Sequence, residues 1–176
     1  MLSVIIPKRR HSSIMPTANS QQPLLPSLLD RLIDDEPQQS SEPLWRGSYR
    51  LEELREHVRR DLEFLLNTRH GRLDLVTQPG ELAVSTLSYG LPDFTGLIGG
   101  GLETRERVRA TVERAVRDFE PRLTNVLVIV REPEFEFDRN IHLTIQAVLC
   151  VDPIVELVTF DTTLEASSGT CEVRPS

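Results

Sequence analysis

The densest group of chemically active side chains in this sequence is a run of four carboxylates, Glu132-Pro-Glu134-Phe-Glu136-Phe-Asp138. In an extended chain the acids would share one face, with Phe135 and Phe137 on the other. Paired carboxylates could act as the general acid and base of a glycoside hydrolase, or as metal ligands. No histidine or buried arginine is predicted to organise them, and charges along a strand edge deter unwanted pairing. We therefore interpret the run as a solvated rim and keep a hydrolase as the alternative.

A second charged group is Glu120-Pro121-Arg122, where a helical pattern ends and an apolar strand pattern begins. Proline cannot continue the preceding helix, and it restricts Glu120 to extended geometry. The corner therefore fixes the directions in which two opposite charges leave the chain. The residues alone leave two interpretations open. Either Glu120 closes the helix and Arg122 pairs locally with it or with Asp118, or the corner serves a partner.

The remaining sequence contains no recognisable catalytic, cofactor or metal motif. Cys150 and Cys171 lack a CxxC spacing and a neighbouring histidine, so they predict neither a disulfide framework nor a zinc site. The triple glycine at residues 99–101 is not followed by the Lys-Ser/Thr of a phosphate loop. We expect no catalytic residues, no cofactor and no metal.

Composition indicates a soluble globular protein. The net charge is −7 and 39% of the 176 residues are apolar, which fits a globular chain and argues against binding nucleic acid. The first residues have apolar side chains before the charged ones, the reverse of a signal peptide. No apolar run approaches the roughly 20 residues of a membrane helix. We expect a cytoplasmic protein with no direct membrane insertion.

Four segments follow from the pattern of polar and apolar residues. Residues 1–22 are predicted to be a mobile arm, residues 23–47 a short helix and an acidic, proline-bearing linker, residues 48–165 a single folded domain, and residues 166–176 a C-terminal tail. The short helix carries one apolar stripe, so it either packs on its own domain or binds a partner. The stripe comprises Leu28, Leu29, Leu32 and Ile33.

Two long amphipathic helices are predicted within the domain. The first has apolar residues from Leu51 to Leu65 at steps of three and four, with Ser48 as its N-cap and Gly71 as the turn residue after it. The second starts at Glu103 or Thr104 and ends at Phe119. Between them, Tyr89, Leu91, Asp93 and Phe94 lie in a turn-rich loop that is either packed down or holds its apolar side chains out for a partner.

Three strands are predicted after the helices, at residues 123–130, 140–151 and 154–162. The first is apolar at both alternating sets of positions, so we expect it to be covered on both faces. Asp152-Pro153 predicts a tight antiparallel hairpin between the other two. The fold class is α+β, with N-terminal helices packed on a small C-terminal antiparallel sheet of about three strands.

Four blocks of sequence, in order, resemble the TssE family, the baseplate subunit of type VI secretion systems, and the related phage-tail baseplate wedge protein. They are Leu28-Leu-Asp-Arg-Leu32, the first long helix through Asn67-Thr-Arg69, Tyr89-Gly-Leu-Pro-Asp-Phe-Thr-Gly96 and Phe119-Glu-Pro-Arg-Leu123. The blocks span most of the domain. The triple glycine and the N-terminal arm have no match in the family pattern.

The resemblance implies a structural protein and not an enzyme, although some family members carry a lysozyme-like label. It implies partner binding by Glu120, Pro121 and Arg122, and we add the loop residues Tyr89, Leu91, Asp93 and Phe94 as candidates. The implied partners are other wedge subunits of the TssF, TssG and TssK type and sheath subunits of the TssB and TssC type, within a hetero-oligomeric assembly. In the family the sheet is thought to seed the sheath by adding a strand to an exposed edge.

Overall fold

The computed structural model of the chain describes residues 27, 32, 38, 50–71, 80–94, 101–132, 135, 138–152 and 154–176. Within these residues the order of elements is two long helices followed by four strands, with two short 3₁₀ helices, Glu81–Val84 and Thr86–Ser88, between the long ones. The predicted short helix and linker before the domain lie almost entirely outside the described residues, as does the predicted arm at residues 1–22.

Helix α1 spans Leu51–Asn67 and buries the predicted apolar stripe. Its N-cap is Arg50 and not Ser48, so the predicted N-cap is wrong. The Arg50 amide donates to the Glu53 carboxylate at 3.0 Å, which satisfies one of the free donors at the start of a helix. The helix ends at Thr68 in an extended conformation, ahead of Gly71. The stripe comprises Leu54, Val58, Leu62, Leu65 and Leu66.

Helix α2 spans Leu102–Phe119 and starts one or two residues before the predicted position. Its buried side chains recur at helical spacing and face the sheet, while its other face carries ion pairs such as Arg117–Glu113 at 2.7 Å. These charges three and four residues apart support the helix only weakly because they are exposed. The buried residues are Val108, Val112, Ala115 and Val116.

The sheet is an antiparallel meander of four strands in the order β1-β2-β3-β4. Strand β1 is Leu123–Arg131, β2 is Ile141–Val151, β3 is Ile154–Leu164 and β4 is Cys171–Pro175. The hairpin between β2 and β3 pairs without interruption from Val151↔Ile154 to Ile141↔Leu164, as predicted. The fourth strand is additional to the predicted three. It lies within residues 166–176, so this segment is part of the sheet and not a free tail.

One face of the sheet packs on both helices, with α1 against β4 and α2 against β1. The fold class α+β is therefore confirmed. The expectation that β1 is covered on both faces is wrong, because 50% of Leu127 and 41% of Ile129 are exposed on the face that carries no helix. Two-layer packing covers only one face of an antiparallel sheet. A bulge between Thr124 and Leu127, with Asn125 at φ 52°, resets the alternation along β1.

Candidate interface at the corner after α2

The corner after α2 is held by backbone hydrogen bonds on both sides. The Glu120 amide donates to the Val116 carbonyl at 2.9 Å and closes the helix, and the Leu123 amide donates to the Glu120 carbonyl at 3.0 Å. The Cys150 amide then donates to the Arg122 carbonyl at 2.8 Å, which aligns the start of β1 with β2. Pro121 occupies the exposed tip of this turn. The direction of the chain between helix and sheet is therefore fixed within three residues.

Arg122 lies between two carboxylates. Its Nε donates to Glu120 Oε1 at 2.7 Å and its Nη2 donates to Glu120 Oε2 at 2.6 Å. The same Nη2 donates to Asp61 Oδ2 on α1, also at 2.6 Å. Two parallel bonds to one carboxylate give the planar fork in which arginine binds most specifically. The ion-pair network of Asp61, Arg122 and Glu120 thus joins α1, the end of α2 and the start of β1.

Burial makes this network sensitive to the loss of a member. Only 5% of Glu120 is exposed, and 20% of the Arg122 side chain is. Burial opposes the charge of the Arg122 guanidinium, but its hydrogen bonds to Glu120 and Asp61 outweigh that effect and raise its pKa above the ordinary value. A buried pair is costly to break from one side, because the other charge stays behind without a partner.

Three aromatic rings lie beside the network and form what we call the aromatic cluster: Phe64 of α1, Tyr89 of the loop and Phe119 of α2. Tyr89 packs edge-on against Phe119 with ring centroids 5.2 Å apart, and its centroid is 6.2 Å from that of Phe64. Burial raises the pKa of Tyr89, and so do the negative charges of Asp61 and Glu120. Phe64 is 67% exposed, so the cluster presents an aromatic surface next to the corner.

The loop before α2 is packed down, which decides between the two interpretations of its apolar residues. Leu91 is fully buried and Phe94 is 2% exposed. The Leu91 amide donates to the Thr68 carbonyl at 2.9 Å, and the His70 amide donates to the Leu91 carbonyl at 3.1 Å. Gly90 permits this approach, because its φ is +105° and a Cβ there would lie 2.4 Å from the Thr68 carbonyl oxygen.

The candidate residues predicted from sequence therefore fall into two groups. Pro121 and Asp93 are exposed, and Tyr89 and Arg122 are partly exposed, so each of these four has atoms available to a partner. The other three, Glu120, Leu91 and Phe94, are buried and support the exposed residues from within the fold.

Sequence reasoning from spacing alone did not find Asp61 as the second carboxylate of the network, nor Phe64 as part of the aromatic cluster. Asp61 is 61 residues from Arg122, so no local spacing connects them. The available signal was a carboxylate next to the buried stripe of α1, between Val58 and Leu62, where an unpaired charge would be costly.

The acidic run differs in one respect from the prediction. Glu132 is exposed, but Asp138 Oδ2 lies 2.7 Å from His142 Nε2, so a histidine does pair with the run. The bond to His142 lowers the pKa of Asp138, and the Asn140 amide acts in the same direction. His142 Nδ1 lies 3.3 Å from Thr163 Oγ1. Glu134 and Glu136 lie outside the described residues.

Within the described residues, no group of three or more His, Cys, Asp or Glu side chains is placed to hold a metal ion. None of the helices in that part of the chain is long and apolar enough to cross a membrane.

The structure is that of a small α+β protein with two helices on one face of an antiparallel meander. Its most organised group of polar side chains is the buried ion-pair network at the Glu-Pro-Arg corner, which connects the helices to the sheet. The family model described as "Baseplate wedge protein gp25" matches residues 52–153, which is more than half of the chain. The chain belongs to this family of baseplate wedge proteins. This confirms the wedge-family relationship that the four sequence blocks imply.

Comparison with individual proteins adds less. No significant match to a curated protein sequence is found. A solved structure titled "The baseplate complex from the type VI secretion system" is similar at 20% identity and a TM-score of 0.45, covering 64% of this chain and 94% of that chain. At this level of similarity the likeness carries no argument about the function of the chain.

Proposed function

We propose that this chain is the wedge subunit of a type VI secretion baseplate, where it binds other wedge subunits through the corner after α2 and starts the sheath through its sheet. Membership of the baseplate wedge family supports the structural role. The resemblance of the four sequence blocks to the TssE family is the basis of the type VI assignment. We place the protein in the cytoplasm as a non-enzymatic member of a hetero-oligomeric assembly. TssF-, TssG- and TssK-type proteins are the proposed wedge partners.

The observation that carries the wedge contact is the composition of the corner surface. It combines the exposed Pro121 and the partly exposed Tyr89 with the aromatic face of Phe64. Aromatic side chains held rigidly by neighbouring elements are typical anchors of protein interfaces. The Asp61–Arg122–Glu120 network lies directly behind this surface and keeps α1, α2 and β1 in register. In this proposal Arg122 contributes mainly by rigidity, with its partly exposed guanidinium at the rim.

The sheath contact requires a strand edge whose backbone groups are free. On β4, side chains of α1 bind three of these groups. Asn67 donates to the Cys171 carbonyl at 2.8 Å and accepts from the Cys171 amide at 2.9 Å, and Arg59 donates to the Val173 carbonyl at 3.1 Å. Side chains of the helix thereby bind backbone groups that a neighbouring strand would bind, and they protect this edge.

The opposite edge, on β1, is more open. Among the described residues, the Val128 amide donates away from β2 to the Glu113 carboxylate at 3.5 Å, which is the limit of a hydrogen bond. Backbone groups of an edge strand alternate between facing its neighbour and facing away, so the Val130 amide shares this outward direction. We infer that an incoming sheath strand of the TssB or TssC type pairs with β1.

Hydrogen exchange on the purified chain, with and without purified sheath subunits, tests this assignment. We expect sheath subunits to slow exchange of the Val128 and Val130 amides by about tenfold or more, as for amides entering a stable ladder. The Cys171 amide, already bonded to Asn67, serves as the internal control and should change little. Protection on β4 instead, or on neither strand, would contradict the choice of β1.

The alternative of a lysozyme-like hydrolase depends on the four carboxylates of the run from Glu132 to Asp138, of which the structure describes Glu132 and Asp138. The pairing of Asp138 with His142 gives it one organised group, but the second described carboxylate, Glu132, is exposed. We expect purified protein to release no soluble fragments from peptidoglycan. Release that disappears in Asp138→Asn would establish the hydrolase and remove the proposal that the chain is not an enzyme.

A further inference from the structure

The face of the sheet opposite the helices carries an apolar patch that nothing in the described part of the chain covers. Val155 is 74% exposed and Leu157 79% exposed on β3, and Leu127 and Ile129 are about half exposed on β1. The register pairs Val148 of β2 with Leu157, and Leu127 lies diagonally from Val148. The direct partners of Leu127 and Ile129 on β2 are the polar Gln146 and Thr144, so the apolar side chains form a diagonal band with polar neighbours. We call this band the outer patch. A contiguous apolar surface of this kind marks a binding site more often than a solvated face.

A second apolar surface is predicted from the sequence of the same chain. The predicted amphipathic stripe of residues 24–33 includes Leu32, which is 82% exposed. A short helix of this length is marginal unless its apolar face is buried against something. Apolar surface left in water raises the free energy of the folded chain, so burying either surface would stabilise it.

The connection between them is long enough and starts at the correct end of the sheet. Arg55 of α1 is paired with Glu156 at 2.5 Å, between Val155 and Leu157 in sequence, so the first turns of α1 lie at the end of β3 that carries the outer patch. Residues 34–49 precede α1 and can span up to about 50 Å when extended. The inner face of the sheet is already occupied by α1 and α2. The outer face carries no helix of the described residues, and residues 24–33 can reach it.

We propose that residues 24–33 fold back and pack on the outer patch of their own sheet. Tethering makes the contact intramolecular, which raises the effective concentration of the segment to the millimolar range without any added contact. Leu28, Leu29 and Leu32 supply the apolar face of the segment, and Leu127, Leu157 and Val155 supply the surface that receives it. The docked segment would complete a three-layer arrangement of helices, sheet and short helix.

The chain offers a native probe for this contact, because Cys150 is exposed on the outer face, paired in register with Val155, while Cys171 is buried. A short bis-maleimide is added to dilute Leu29→Cys protein, and intramolecular linkage to Cys150 is followed by mass spectrometry. The matched control is Ser41→Cys, which is closer to α1 along the chain but has no apolar stripe. Docking should make Leu29→Cys link about tenfold faster than Ser41→Cys, although tether length alone favours the control.

The variant Leu157→Asp in the Leu29→Cys background should abolish this advantage while leaving the control rate unchanged. Three outcomes would overturn the proposal. Equal rates for the two cysteine positions would show that the segment is only tethered. Linkage that rises with protein concentration would assign the patch to a second copy. A Leu29→Cys advantage that survives Leu157→Asp would place the segment elsewhere. The experiment uses the isolated chain and does not depend on the baseplate role.

Discussion

At the scale of single residues, the corner after α2 connects three elements through the pairing of Arg122 with two carboxylates. Glu120 is almost fully buried and its two carboxylate oxygens are both taken by Arg122. The sequence alone allowed the simple interpretation of a helix stop with a local charge pair, and that pair is present. The addition is Asp61, which turns a local pair into a connection between distant elements.

Arg122→Ala should therefore act on stability as well as on assembly. Removing the guanidinium leaves the Glu120 carboxylate buried without a partner, which we expect to lower the free energy of unfolding by about 3 kcal/mol. Urea unfolding measures the change. Asp118→Ala, an exposed acid one turn away, is the control and should change stability by less than about 0.5 kcal/mol.

Arg122→Ala also distinguishes the two roles of the corner. If the variant is fully stable and yet fails to recover wedge subunits from the native cytoplasm, Arg122 contacts a partner directly. If stability and assembly fall together, the ion-pair network acts by holding the surface in place.

A backbone effect is expected at Gly90. Gly90→Ala must keep a φ of +105° and also place a Cβ 2.4 Å from the Thr68 carbonyl oxygen. Strain and clash together should cost about 3 kcal/mol in urea unfolding. Gly80→Ala has the same φ of +105° with nothing within 4 Å, so it isolates the strain and should cost only about 1 kcal/mol. Equal losses in the two variants would mean that the loop moves away from Thr68 at little cost.

Cys171 predicts a loss of stability in alkaline solution. Burial raises the pKa of its thiol from 9.0 to about 11. The unfolded chain therefore releases this proton at a lower pH than the folded chain, and stability falls as the pH rises from about 9 to about 11. Cys171→Ala should remove about 2 kcal/mol of this pH-dependent loss, measured as the difference in unfolding free energy between pH 8 and pH 11. The same slope in Cys171→Ala and wild type would assign the loss to other groups.

At the scale of elements, the long periodic segments were predictable because each buries one stripe or one face. The repeats in α1 and α2 and the alternation in β2 and β3 are long enough to outweigh local irregularities. Strand β4 was missed because Cys171-Glu-Val-Arg-Pro175 offers only two buried positions. The burial of β1 was predicted wrongly because its apolar residues occupy both alternating sets of positions. A bulge at Asn125 shifts that alternation, and Leu127 and Ile129 are apolar although they are exposed.

The connection between α1 and β4 yields an element-scale prediction. Asn67→Ala removes the side chain that donates to and accepts from the backbone of Cys171. We expect a loss of about 1–2 kcal/mol in urea unfolding, because the site is part-buried. Asn67→Asp keeps the acceptor for the Cys171 amide and loses only the donor, so it should fall between wild type and alanine. No difference between the three proteins would show that solvent replaces Asn67 freely.

At the scale of the whole molecule, the sequence indicated the family but not which surfaces remain available. The four blocks place Leu91 and Phe94 in the same pattern as Tyr89 and Asp93. Only the packing of the loop against Thr68 separates residues that form the core from residues that reach the surface. Exposure depends on contacts between distant parts of the chain, and spacing along the sequence does not report it.

The aromatic cluster supplies the corresponding prediction for assembly. Phe64→Ser changes a side chain that is 67% exposed, so stability should change by less than about 1 kcal/mol while recovery of wedge subunits in a pull-down is lost. Leu102→Ser is the matched control, because Leu102 is 86% exposed at the far end of α2. Recovery that is unchanged in Phe64→Ser, or reduced equally in both variants, would argue against the corner as the wedge contact.

The hydrogen bonds that Asn67 makes to Cys171 make the two edges of the sheet different from each other. In the proposed function, side chains of α1 occupy the β4 side of the sheet and a sheath strand is added at β1, so the two sides cannot exchange roles. An array begun on such a subunit has a terminus and a single growing end, and units added head to tail from it all point the same way. A filament assembled in this manner would inherit its direction from one amide side chain on α1.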